Sequence, residues 1–408
     1  MNIKDKDTLH ECTSCQMCAA VCPKDAISID LNEDGFYRPV LDTEKCVDCG
    51  ICRSICYKYD SQIGDFCQEK LSVTMLYGAF ANDREVISNT TSGGVADLLA
   101  RQLINKGYKC VGVVYDSESD TAVHRVASSV EETIGFRGSK YIQSYTFSAF
   151  KKIVKECKTE KYAVFGTPCQ IYAIDRFLNK RKVRNDHILI DLYCHGCPSM
   201  NIWKKYIKNV KMKISKDVVD GVNFRSKIKG WGNFYVEVEV DGKPVFYSDN
   251  RNNEFFDLFF SDQVLNEACN DCLLRSTLAY TDIRLGDFWG KQYVMNNRGV
   301  SAVSIVTEKA KVLFDSISNQ FTCKVEHYEN FLPWQSWGKV YKPNKELRIK
   351  LLEQLKTENV TLRESIDTIY QYQGKVEKLI KYGKFIVHEM PIQVEKCIRW
   401  IFYKLLNN

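Results

Sequence analysis

Between residues 72 and 325 the chain alternates short apolar runs with longer stretches whose apolar residues recur every three or four positions. "KLSVTMLYGAF" and "KCVGVVYD" read as strands, and "GGVADLLARQLINKGY" between them as a helix ending near Gly107. "YAVFGTP" reads as a buried strand closed by a Gly-Thr-Pro turn, followed by "CQIYAIDRFL" as a helix. "HILIDLYCHG" is a further strand running into a loop. This order predicts an α/β layer, built from segments 72–150 and 151–325. Ligands of open α/β sheets gather at the carboxyl ends of strands. Two of these strands deliver a cysteine there.

The flanks differ. Residues 1–66 are short, loop-rich and dense in cysteine, a stretch too small for a large core, so bound metal would supply much of its folding energy. Residues 345–408 read as a helical, basic tail. Its end, "EKCIRWIFYKLLNN", is amphipathic and is expected to cap its own protein. Contact with a membrane surface or with a partner is the lesser alternative.

Composition changes this picture little except in cysteine. The 408 residues are 45% hydrophobic and 26% charged, with a net charge of +6, which does not imply nucleic acid. Residues 1–66 carry 7 basic and 12 acidic side chains, a net of −5, against +11 for the rest. An acidic electron module on a body that takes an anionic ligand would fit, and so would chance. No secretory signal stands at the start and no apolar run is long enough to cross a bilayer. A cytoplasmic protein is expected, and its 18 cysteines then read as metal or redox ligands rather than disulfides.

Two runs carry most of that chemistry, "ECTSCQMCAAVCPKD" and "KCVDCGICRSICYKY". A C-x2-C-x2-C loop presents three thiolates to a 4Fe-4S cluster, and in the two-cluster pattern the fourth cysteine of each run serves the other cluster. This predicts one cluster on Cys12, Cys15, Cys18 and Cys56, and a second on Cys46, Cys49, Cys52 and Cys22. Pro23 follows the first run as the pattern asks, whereas Tyr57 stands at that place in the second. Zinc is the rival ligand, although its sites favour two spaced pairs. Further on lie Cys169, the pair Cys194 and Cys197, and the pair Cys269 and Cys272. If their segments converge, Cys169, Cys194, Cys269 and Cys272 could hold a third cluster. Buried apolar thiols and half of a zinc site remain the alternatives. Cys67, Cys110, Cys157, Cys323 and Cys397 have no ligand spacing and read as packing residues.

Clusters move single electrons, and a flavin is the usual converter to two-electron chemistry. No G-x-G-x-x-G fingerprint is present. "NTTSGGVADLL" sets Ser92, Gly93 and Gly94 at a helix start, suited either to an anion or to a plain cap on Ser92.

The segments "TSGGV", "GSKYIQS", "FGTPCQIYAI", "DLYCHGCPS", "NFRSKIKGWGNF", "CNDCLLRSTLAYTDIRLGDFWG" and "GVSAVSIVT", in this order, resemble the beta subunits of coenzyme F420-reducing hydrogenases and related dehydrogenases. The likeness spans roughly residues 72–325. It implies an α+β and α/β architecture: a bacterial-type ferredoxin domain with two 4Fe-4S clusters, a mixed α/β flavin-binding core and the helical tail. It implies that Cys169, Cys194, Cys269 and Cys272 hold a core 4Fe-4S cluster; Cys197 falls outside the matched set. It implies FAD lined by Ser92, Gly93, Gly94, Lys140, Tyr141, Gly166, Thr167 and Gln170, with Lys140 placing charge near the flavin. Arg225, Lys227 and Asp287 lie in matching motifs without an assigned role.

The resulting expectation is an oxidoreductase passing electrons from ferredoxin, or another redox protein, through clusters and FAD to a small organic acceptor, or the reverse. The acceptor class is a coenzyme F420-like deazaflavin or a nucleotide-sugar metabolite of a polysaccharide pathway. The rivals are a non-catalytic electron-transfer subunit feeding a partner oxidoreductase, and a zinc-stapled binding protein without flavin. Hydrolase chemistry has little support, because only His195 sits beside a cysteine motif.

Overall fold

The computed structural model describes residues 1–64, 70, 71, 73–249, 252–374, 383, 386, 387, 390 and 392–405. Cys67 lies outside them.

The head is built on an antiparallel hairpin, β1 (Ile27–Leu31) and β2 (Tyr37–Leu41), in register Ile27 to Leu41. Its core is small: Ile3, Ala19, Ala26, Ile27 and Leu41 pack with Cys18, Cys22 and Cys52. The cysteines are part of the interior, so the head has few apolar contacts to fall back on if they are removed.

The body is a nine-stranded mixed sheet and a separate three-stranded one. In chain order its strands are β3 (Met75–Ala81), β4 (Lys109–Asp116), β5 (Thr121–Ala127), β6 (Ser144–Tyr145), β7 (Tyr162–Phe165), β8 (Ile188–Leu192), β9 (Gly221–Ser226), β10 (Tyr235–Val240), β11 (Lys243–Asp249), β12 (Ile283–Asp287), β13 (Ser301–Ile305) and β14 (Phe321–Glu326). The large sheet runs β14-β3-β13-β12-β8-β7-β4-β5-β6, and the small one β11-β10-β9. Strand β3 hydrogen-bonds to both β13 and β14. Segments 72–150 and 151–325 therefore share one sheet.

β4, β7, β8 and β12 lie side by side and parallel. β7 (burial complete at Tyr162, Ala163 and Val164) and β8 (Leu189 and Ile190) read as continuous apolar runs because helices cover both faces. The helix Val95–Asn105 buries Leu98, Leu99 and Leu103 on one face, and Pro168–Lys180 buries Ile171, Ile174 and Leu178 on the other. Val95–Asn105 stops as expected at Gly107, whose φ of +81° suits glycine.

The segment from 345 onward is helical and packs on the body. Helices Lys345–Lys356 and Leu362–Tyr372 bury Leu347, Leu351, Leu355, Ile366 and Ile369 against Trp203 and Phe255, so they belong to the core. In Ile392–Leu405, Glu395 and Lys396 are buried while Val394 and Ile401 face out. Among the described residues no helix is long and apolar enough to cross a membrane.

Candidate metal centres

The two N-terminal runs fold as a pseudo-repeat. Gln16 (φ 64°) and Gly50 (φ 75°) take matching left-handed conformations just before the short helices Met17–Ala20 and Ile51–Ser54. Gln16 holds a conformation glycine would adopt freely because its side chain is anchored in the body. Its Oε1 accepts from the N–H groups of Thr146 (2.8 Å) and Phe147 (3.1 Å), and its Nε2 donates to Ser144 O (3.0 Å).

Cys18 is deeply buried, which pushes its thiol well above the ordinary range, and it feels the charges of Cys15, Cys56, Cys12 and, last, Cys52. Burial likewise raises Cys15, to about 11, and Cys56, which feels Cys15 and Cys12. Cys52, raised by burial, feels Cys49 and Cys22 instead. Cys22, Cys46, Cys49 and Cys52 line one cavity with Ile27 and Leu41. Cys12, Cys15, Cys18 and Cys56 thus lie near one another, and Cys22, Cys46, Cys49 and Cys52 share one cavity.

A third group forms at the carboxyl edge of β7, β8 and β12. Cys169 is the second residue of the helix Pro168–Lys180, which begins just beyond β7. Thr167 and Gln170 close a reciprocal capping box there, and Thr167 Oγ1 lies 3.2 Å from Cys169 Sγ. A helix N-terminus favours a thiolate. Cys194 and Cys197 follow β8, and Cys269 and Cys272 come from the loop before β12. Cys169 feels Cys15, Cys272 and Cys194; Cys269 feels Cys272 and Cys194; Cys197 feels Cys269, Cys194 and Cys169. Cys197 is thus a neighbour of the matched set as well. The C-x2-C spacing of Cys194 and Cys197, identical to that of Cys269 and Cys272, was the available signal.

Two arginines brace this site. Arg275 donates to His195 O (3.1 Å) and Cys269 O (2.5 Å), tying two cysteine loops together. Arg284 makes a two-pronged pair with Asp191 (2.8 and 2.5 Å) and donates to Arg275 O (3.1 Å). Burial raises the Cys194 thiol to about 11, while the Arg275 charge pulls it back. Guanidinium groups here would offset the negative charge of a thiolate-ligated cluster.

Head and body meet at Tyr57. It is 3% exposed, its hydroxyl accepts the N–H of Leu273 (3.3 Å), and its ring packs edge-on to Tyr172. The residue that breaks the sequence repeat is thus the one that docks beside Cys272. Gln143 adds a second tie, donating to Gly35 O (2.8 Å) and Pro198 O (3.0 Å).

Among the described residues no three Cys, His, Asp or Glu side chains converge on a point suited to a single metal ion. The donor sets are cysteine alone, and four thiolates are what a four-iron cluster takes.

The residues nominated for flavin gather around Ser139–Ser144. Ser139 N donates to Thr91 Oγ1 (2.8 Å), Gln170 Nε2 to Ser144 Oγ (3.0 Å), and Arg225 Nη1 to Tyr141 OH (2.8 Å). Many of their polar groups are engaged within the protein. Ser92 Oγ donates to Val300 O and Gly93 N to Ser301 Oγ, so Ser92 is not the cap; Gly94 is, in the left-handed region. Gly93 packs so closely that a Cβ would stand 2.2 Å from Ala79 O. Gly166 donates its N–H to Ile190 O. Lys140 Nζ donates to Gly135 O and Arg137 O, and burial lowers its ammonium to about 7. Lys227 Nζ donates to Ile87 O, Ser92 O and Arg298 O. Arg225, on β9, also pairs with Asp287 at the end of β12 (3.0 Å), and among the described residues its buried Nε and Nη2 find no hydrogen-bond partner. These donors suit an oxygen-bearing ligand.

Of the cysteines read as packing residues, Cys110 and Cys157 are buried, whereas Cys323 and Cys397 are exposed. Cys323 sits on edge strand β14, which has no neighbour on one side, and Cys397 on the outer face of the last helix.

Residues 159–330 match the family model for the C terminus of the coenzyme F420 hydrogenase/dehydrogenase beta subunit, and residues 11–58 that of a 4Fe-4S dicluster domain. A coenzyme F420 hydrogenase subunit beta of Methanococcus voltae is 24% identical over 246 residues, covering 56% of this chain and 80% of its own length. An uncharacterized protein of Methanocaldococcus jannaschii is 27% identical over 205 residues, covering 44% of this chain and 56% of its own. A chain of the F420-reducing NiFe hydrogenase complex from Methanosarcina barkeri aligns with a TM-score of 0.45 and 19% identity, over 77% of this chain and 93% of that one.

Proposed function

Because this chain belongs to the coenzyme F420 hydrogenase/dehydrogenase beta subunit family through residues 159–330, behind a 4Fe-4S dicluster domain, we propose that it is an iron–sulfur oxidoreductase with three cluster sites in series. The observation that carries this is the nearness of Cys15, in the first head group, to Cys169 in the core group. It orders the sites as Cys22/46/49/52, then Cys12/15/18/56, then the core. Cys49 is exposed, which suits the outer site to exchange with ferredoxin or another redox protein.

The finer reading adds FAD beside Ser139–Ser144. When bound, clusters hold single electrons and a flavin exchanges them for a hydride pair. Tyr141, Arg225 and Asp287 would orient the ring, and the carbonyl-held Lys140 would set local charge. The acceptor is then a small organic molecule, a deazaflavin or a nucleotide sugar.

The test is iron, sulfide and released-flavin quantitation on anaerobically purified protein. Three four-iron sites predict about twelve iron per chain, with near-stoichiometric FAD. About eight iron and no flavin overturns the core assignment. Replacing both Cys269 and Cys272 by Ser is expected to bring iron to about eight; unchanged iron rejects that site. Lys140→Ala is expected to lower FAD retention or shift its potential, and a wild-type flavin spectrum and potential would reject the contact.

A second reading is a non-catalytic electron-transfer subunit. The Methanococcus voltae relative is itself named a subunit, which favours it. Turnover only in the presence of a second polypeptide would decide for it.

A further inference from the structure

We propose that the core centre is a five-thiol site in which Cys197 is an alternate ligand, sharing one iron corner with Cys269. This rests on the core cluster of the proposed function.

The argument starts from the backbone. Cys197 O accepts the N–H of Asn266 (2.7 Å), and Asn266 O accepts the N–H of Cys269 (2.7 Å). Pro198 and Leu265 form a β-bridge one step further along. Gly196 runs so close to the other loop that a Cβ there would stand 2.9 Å from Leu265 and 3.4 Å from Cys269 Cβ. The two loops are therefore locked together at Cys197 and Cys269. Of the cysteines near Cys197, Cys269 acts on it most strongly. Cys194 and Cys169 follow. A four-iron cluster takes four thiolates, so one of five converging thiols is left over.

The exchange is balanced. With a cluster bound, Cys197 would give up its proton on ligating iron and Cys269 would take one up on release. No electron moves.

The test compares Cys197→Ser, Cys269→Ser, the double variant and Cys272→Ser by iron content and electron paramagnetic resonance of the reduced proteins. Retained signals of the two head clusters report folding. Both Cys197→Ser and Cys269→Ser are expected to keep about twelve iron, with distinct core signals. The double variant and Cys272→Ser are expected to fall to about eight. Loss in Cys269→Ser alone overturns the proposal, because Cys197 then cannot stand in. Loss in Cys197→Ser alone also overturns it, by making Cys197 obligatory. Eight iron in the unmodified protein would instead refute the core cluster itself. If Cys269→Ser does not fold, native-state alkylation of the unmodified protein by N-ethylmaleimide decides. Label divided between Cys197 and Cys269 supports exchange, and label on Cys197 without Cys269 overturns it.

Discussion

Burial decides the behaviour of single residues here more than residue type does. Arg284 and Asp191 are almost fully buried as a pair, and breaking such a pair from one side costs roughly 3–5 kcal/mol. Arg284 also donates to the carbonyls of Leu274 and Arg275, so it carries the Cys272 loop. His124, on β5, is 2% exposed, and burial lowers its pKa from 6.5 to about 4. The unfolded chain then takes up a proton, between those values, that the folded chain excludes. Stability is full above pH ~6.5 and falls as pH drops toward ~4, by roughly 3 kcal/mol at most. His124→Leu is expected to flatten this dependence. Thermal unfolding at pH 7 and pH 5 checks it, and an unchanged difference between the two midpoints would reject the role of His124.

At the scale of elements, the helix Pro168–Lys180 is the clearest case of local chemistry serving a site. Its cap is Thr167, its third residue Gln170 answers back, and Cys169 lies between them. Thr167→Ala removes one side of the box and is expected to cost about 1 kcal/mol. It also removes the hydroxyl beside the Cys169 sulfur, so the core iron should be lost faster to a chelator while the head clusters hold. Equal loss rates in variant and parent would show that the cap serves the helix alone. The cap itself emerged with the structure, whereas the turn and helix here were legible in the sequence, as was the C-x2-C-x2-C spacing of the head. The role of the helix Leu362–Tyr372 was not, because its apolar face reads the same whether it covers a core or a partner.

For the whole molecule, the decisive feature is the seam between head and body. Gln16, Tyr57 and Gln143 cross it, each buried and each satisfying backbone groups of the other part. Tyr57→Ala opens a cavity beside Cys272 and is expected to destabilise docking by roughly 3–5 kcal/mol. Both head clusters should remain, since the cysteines of the head are untouched. Reduction of the core after rapid reduction of the head should slow markedly in stopped-flow absorbance. A wild-type rate with intact clusters would remove Tyr57 from the path.

The cysteine spacing alone determined the head, because a tight loop with three thiolates is a local geometry that few other sequences share. Apolar periodicity likewise determined the strands β4, β7 and β8 and the helices between them. Tertiary structure alone decided that β3 joins β13 and β14 across more than two hundred residues, since pairing partners leave no local signature. It also decided that Cys197 lies beside the Cys269 loop. A C-x2-C pair after a strand looks alike in sequence whether one thiol or both belong to a site, and the bridge from Pro198 to Leu265 is part of what brings Cys197 there. Tyr57 makes the same point: a departure from a repeat in sequence becomes, once folded, the side chain that joins the head to the body.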